Sequence, residues 1–316
     1  MKNFLTAALL CLWLSTPQAS EPRSFHKVQS LQVTTLSTML ADRGIGEWGY
    51  AALIEVDGRK ILFDTGFRPQ TVLNNARELR IDLSEVEDVI LSHNHNDHVG
   101  GLLTLREALK ARNPKALSRV HVGRGMFSER VGDADRLPAM KRRLEADGVV
   151  FHEYADATEL LPGVWLTGNV ERMHPERNWS GNARIVGAEG EIEDTIPEDL
   201  SLAIDTAQGF VLISGCGHAG IINTMQHVLS KVHAGSIDTA IGGFHLMRAD
   251  EEHLAWTASK LKEFGLTRMI GAHCTGVDAL YSLRRLLGSD RQHMVVGAVG
   301  DRFSLEHGVQ AGAIAR

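Results

Sequence analysis

Two hydrophobic rhythms run along the chain. Residues 28–36 alternate and are rich in β-branched types, which predicts a first strand. Residues 50–57 and 60–63 carry a strand pattern on either side of Asp57-Gly58, a pair suited to a tight hairpin turn. A helix is predicted over 69–79, where Leu73, Ala76 and Leu79 recur at helical spacing. The apolar run 88–91 predicts a buried strand, followed by helices over 102–111 and 138–147 and short strands at 120–122, 149–151 and 164–166. The second half repeats the rhythm. It has paired strands at 200–205 and 209–214, a helix at 221–231, a strand at 237–241, and a helix at 251–264. A strand at 268–272, a helix at 279–287 and a last strand at 294–296 complete it. Two stretches break the pattern. Residues 42–49 hold Gly44, Gly46 and Gly49 and predict a mobile loop. Residues 169–199 are polar with few apolar positions in register, and a loop of that length predicts a pocket rim. Strand, histidine-bearing loop and helix recur, which supports two sheets faced by helices with the ligands gathered at one sheet edge.

The strand at 88–91 runs into Ser92 and then His93-Asn94-His95-Asn96-Asp97-His98, followed by Gly100-Gly101. Four side chains able to bind a metal stand within six positions. His93 and His95 alternate, so along extended backbone they point the same way and suit one metal. Asp97 and His98 follow a bend and suit a second metal beside the first. Two metals that close can share a bridging hydroxide, a nucleophile at neutral pH. Each ion needs further ligands. His218 and His273 are the candidates, because both follow strands and sit in glycine-bounded loops. His245, after Gly242-Gly243, is a candidate for contacting substrate or donating a proton. His174 lies in the polar rim with Arg172 and Arg177, two cations suited to an anionic substrate, and is a weaker ligand candidate. Asp97 is also a candidate catalytic carboxylate, and Asp64 suits a carboxylate that orients a ligand histidine.

The run from Leu91 to Leu102 resembles the H-x-H-x-D-H pattern of the metallo-β-lactamase fold superfamily. Phe63-Asp64-Thr65-Gly66, the stretches around Cys216-Gly217-His218 and His273-Cys274, and Gly242-Gly243-Phe244-His245 fit in order. Together they resemble a branch of metallo-hydrolases similar to dihydropterin-ribofuranosylaminobenzene phosphate synthase. The resemblance implies an α/β fold, a four-layer αββα sandwich of two mixed sheets faced by helices, in one domain over residues 21–316. Many superfamily members place a bridging Asp at the end of the strand matching 209–214. Here Cys216 and His218 stand there, so a thiolate or an imidazole is the expected substitute. The implied cofactors are two divalent metal ions, with zinc as first choice and manganese or iron as alternatives.

Composition adds the destination. The first three residues, Met1-Lys2-Asn3, give a short start with one basic residue, residues 4–14 are uncharged and mostly apolar, and residues 15–20 turn polar and small. This predicts a signal peptide over residues 1–20, too short in its apolar core to span a bilayer, and a periplasmic or secreted protein. Of three cysteines, Cys11 leaves with that leader. Cys216 and Cys274 each flank a candidate ligand, which favours free thiols over a disulfide. The formal net charge is −6, with no basic stripe, so neither nucleic acid nor an anionic membrane surface is an expected partner. A small-molecule substrate is. The expectation is an exported metal-dependent hydrolase using a hydroxide activated by two metals. Its substrate is left open among phosphoesters, lactones, β-lactams and thioesters, with a phosphoester or lactone-type ester favoured. The alternatives are an exported metal- or ligand-binding protein without catalysis, or an iron-dependent redox member of the fold.

Overall fold

The computed structural model describes residues 25–315 apart from residue 134, and the leader expected over residues 1–20 lies outside the described residues. The strands form two large mixed sheets. Across the first, the order is Gly308–Gln310, Arg302–Ser304, Leu31–Ser37, Ala51–Val56, Arg59–Phe63, Asp88–Leu91, Arg119–Gly123 and Val150–Tyr154. Across the second it is Met294–Val296, Arg268–Gly271, Ile237–Gly242, Gly209–Ser214, Ser201–Thr206, Val164–Leu166 and Thr158–Leu161. Each sheet joins antiparallel hairpins to a parallel run. Arg59–Phe63, Asp88–Leu91, Arg119–Gly123 and Val150–Tyr154 are parallel in one. Gly209–Ser214, Ile237–Gly242, Arg268–Gly271 and Met294–Val296 are parallel in the other.

The helices are α1 (Thr71–Glu78), α2 (Asn96–Val99), α3 (Leu102–Lys110), α4 (Arg136–Ala146), α5 (Ile221–Lys231), α6 (Glu251–Glu263) and α7 (Val277–Leu286). Alternation within the strands sorts the apolar side chains into three packed layers. Val89 and Leu91 face α1, α3 and α4, whose Leu73, Leu105 and Leu144 complete an outer core. Ile90 faces the other way, into a central core where Ile54, Ile61 and Phe63 meet Leu202, Ile204, Val211 and Ile213 of the second sheet. Leu212, Ala240 and Met269 face α5, α6 and α7 through Met225, Leu261 and Leu283. The arrangement is the expected αββα sandwich.

The hairpin at 57–58 has φ of 44° at Asp57 and 78° at Gly58, the paired positive angles its sequence predicts. Three expectations need correction. Met294–Val296 is not the last strand: Arg302–Ser304 returns to pair antiparallel with Leu31–Ser37. A strand at Thr158–Leu161 was not anticipated, and the 169–199 stretch contains a hairpin, Arg184–Gly187 with Gly190–Glu193. The 42–49 loop is tied down at two points. The buried Glu47 carboxylate accepts from Ser37 Oγ at 2.7 Å and from the Phe67 and Arg68 N–H groups at 2.9 Å each. The Asn75 side chain bonds both the N–H and the carbonyl of Ile45.

Candidate metal centre

The parallel strands all point their C-terminal ends at one edge, where open α/β sheets place their sites. Asp88–Leu91 delivers the His93–His98 run, Gly209–Ser214 delivers Cys216 and His218, Ile237–Gly242 delivers His245, and Arg268–Gly271 delivers His273. Close approach at the centre demands Gly215, where a Cβ would collide with Ser92 Oγ and Asp64 Oδ2.

Six of the expected residues meet in two groups. His93, His95 and His218 form the first: His93 Nε2 lies 3.0 Å from His95 Nδ1 and 3.2 Å from His218 Nε2. Asp97, His98 and His273 form the second, with Asp97 Oδ2 3.4 Å from His273 Nε2 and 3.9 Å from His98 Nε2. Cys216 lies between them, its Sγ 3.2 Å from His98 Nε2 and also grouped with His93. His245 joins Cys216 and His218, its ring 4.8 Å from that of His218. His174 stands apart, its ring 6.0 Å from Trp256 and its backbone N–H bonded to Asn223. Arg172 donates to the Thr195 carbonyl and lies over the Trp179 ring, while Arg177 pairs with Glu193 at 2.6 Å.

The rings are aimed from behind. Asp64, fully buried, accepts from His98 Nδ1 at 2.7 Å and from Ser92 Oγ at 2.8 Å. With its own proton given to Asp64, Ser92 Oγ accepts from His93 Nδ1 at 2.8 Å. One carboxylate thereby turns the Nε2 atoms of two candidate ligands toward the centre. His218 is fixed differently. Its Nδ1 donates to the backbone carbonyl of Asn178, whose side chain donates to the Gly217 carbonyl at 3.0 Å. The rim is knitted to the same corner at two more points. Glu176 accepts from the first-turn N–H groups of Ile222 and Asn223 in α5, and Asp199 accepts from Ala219 N–H. Ser92 was legible as part of the motif. Asn178 was not, because it acts through a backbone carbonyl that every residue type carries.

Charge follows from this packing. Burial, together with the neighbouring imidazoles, holds His93 and His218 well below the ordinary histidine range and His95 at about 4. These three are neutral at pH 7, the form that ligates a metal. Burial opposes the charged form of His98, yet the Asp64 carboxylate raises it to about 9. Burial likewise opposes ionisation of Asp97, but His273 and His98 hold it below the usual carboxylate range. Against burial, the bond to Cys216 and the nearby His273 and His245 lower Cys274, while burial and Cys274 push Cys216 up. Asp64, His245 and His273 have φ of 56°, 50° and 47°, left-handed values for non-glycine residues that cost of order 1–3 kcal/mol each and cluster at functional sites.

The donor set fits divalent metals. Nδ1 of His273 and Nδ1 of His245 are buried with no hydrogen-bond partner, and three ring nitrogens of the first group converge on one point. Beside them opens a cavity of about 550 Å³, lined by His95, His218, His245, Trp179, Met247 and Arg248 among others. The 169–199 stretch supplies one wall through Pro175, Asn178, Trp179 and Ile196, as its polarity predicts.

A family model described as the Metallo-beta-lactamase superfamily matches residues 49–226. The 7,8-dihydropterin-6-methyl-4-(beta-D-ribofuranosyl)-aminobenzene-5'-phosphate synthase of Methanocaldococcus jannaschii is 28% identical over 274 residues, covering 80% of this chain and 90% of that protein. The structure of Tm1679, described as a metal-dependent hydrolase of the beta-lactamase superfamily, aligns with a TM-score of 0.69 at 24% identity, over 86% of this chain and 98% of that one. Zn(2+)-bound PqqB from Methylobacterium extorquens aligns with a TM-score of 0.53 at 14% identity, over 87% of this chain and 100% of that one. These two structural likenesses are likenesses of fold.

Proposed function

This chain belongs to the metallo-beta-lactamase superfamily, and on that premise we propose that it is a metal-dependent hydrolase of a phosphoester or lactone-type ester. One observation carries the reading: His93, His95 and His218 converge beside Asp97, His98 and His273, and His95 and His218 open onto a cavity. The first trio would hold one divalent ion and the second trio another, with the Cys216 sulfur between them. Bound there, such ions supply Lewis acidity and an activated water at neutral pH.

The chain's own residues do the rest. Asp97 stays ionised, so it accepts a hydrogen bond from the attacking water and orients it. His245 lines the cavity beside His218 and gives a proton to the leaving group. Trp179, Met247 and Ile196 exclude water around the substrate, and Arg248 presents a cation at its outer end. The leader composition supports export, which suits a periplasmic or secreted enzyme. Such a location does not suit the synthase activity named for the M. jannaschii relative.

The test is elemental analysis of protein purified without added metal or chelator, followed by turnover of bis(p-nitrophenyl) phosphate and of a chromogenic lactone. About two zinc or manganese per chain with turnover of either ester is expected. His95→Ala and Asp97→Ala should abolish that turnover, and full activity in either sinks the mechanism. Iron with peroxide- or oxygen-linked electron transfer would favour a redox enzyme instead. Metal without turnover of any ester would favour a binding protein.

A further inference from the structure

The reaction outlined above leaves one nucleophile unused. Cys274 follows His273, and its Sγ lies 3.3 Å from Sγ of Cys216. Both thiols are free, and both are buried, at 1% and 3% exposure. Buried cysteines in apolar surroundings are inert. These two are among imidazoles instead: Cys216 contacts His98 and groups with His93, His218 and His245, and Cys274 groups with His273. A disulfide needs a sulfur separation of about 2.05 Å, so closure asks for a shift of roughly 1.2 Å. Cys216 stands between Gly215 and Gly217 on a loop, and Cys274 stands in a short 3-10 turn.

We propose that Cys216 and Cys274 are a reversible oxidation site that gates metal loading. The proposal rests on the reading of the centre given above. With metal in place, the Cys216 sulfur is held toward His93 and His98. In the metal-free protein it is released to Cys274, and a peroxide closes the pair. Two S–H bonds break and one S–S bond forms. The two electrons cleave the peroxide O–O bond, and the two protons complete two waters. A disulfide sulfur is no longer a thiolate, so the oxidised protein loses a ligand shared by both trios. The burial of both sulfurs also sets the reagent class. Hydrogen peroxide reaches them ahead of a bulky disulfide oxidant such as oxidised glutathione.

The experiment treats the reduced, chelator-stripped protein with hydrogen peroxide, with and without prior zinc. Peptide mapping then follows the Cys216–Cys274 cross-link, and zinc uptake is measured before and after dithiothreitol. The expected result is a cross-link in the metal-free sample and its loss when zinc is bound. Zinc uptake should fall on oxidation and return on reduction, and Cys274→Ser should show no such cross-link. The idea is overturned by an absent cross-link in metal-free protein, by a cross-link indifferent to zinc, or by oxidised protein that takes up zinc as the reduced form does. Reduced protein that binds no zinc yet still cross-links overturns the gating too. It also identifies the metal reading itself as the failed premise.

Discussion

At the scale of single residues, the centre depends on side chains that touch no substrate. Asp64 is the main one, because it orients His98 directly and His93 through Ser92. Asp64→Asn keeps the shape and removes the charge. It should weaken metal binding by roughly 10–100-fold, read by competition with a chromophoric chelator. Unchanged affinity would mean that packing alone aims the rings. The histidine run was legible because four donors in six positions at a strand end have few other uses. His218 and His273 were legible because each follows a strand in a glycine-bounded loop. What holds His218 was not, since the Asn178 carbonyl reaches it across forty positions of sequence.

At the scale of elements, the rim and α5 act as one corner. Burial raises Glu176 from the ordinary 4.5 to about 7, against the pull of the α5 N–H groups. A carboxyl raised on folding contributes stability that is fully present below its unfolded pKa and is lost as pH rises through its folded one. Asp199, raised from 3.8 to about 7 by burial, acts in the same direction. His93, His95 and His218, depressed on folding, act in the opposite one. A comparison of variants isolates the carboxyl. In urea melts of metal-free protein, the stability of wild type relative to Glu176→Gln should decline between pH 4.5 and about 7. A difference flat with pH would show that Glu176 does not titrate there. Strands and helices with strong periodicity were readable to within a residue or two, as at Asp88–Leu91 and Ile221–Lys231. Arg302–Ser304 was not, because three residues carry no period and only the pairing with Leu31–Ser37 makes them a strand.

At the scale of the whole molecule, the central layer joins the halves. Leu202 is fully buried between the sheets, and Leu202→Ala should cost about 2–5 kcal/mol of unfolding free energy in denaturant melts. A loss below 1 kcal/mol would mean that the two sheets repack freely. The halves are also joined at the site. His93, His95, Asp97 and His98 come from the first sheet, and His218 and His273 from the second, more than a hundred residues later. Neither trio exists until the later half of the chain has folded against the earlier one. If the chain is exported, as proposed, and crosses unfolded, it would therefore cross before either trio could hold an ion. On that reading, the mineral content of the compartment it enters, rather than that of the one where it is made, would decide which metal the proposed centre takes up.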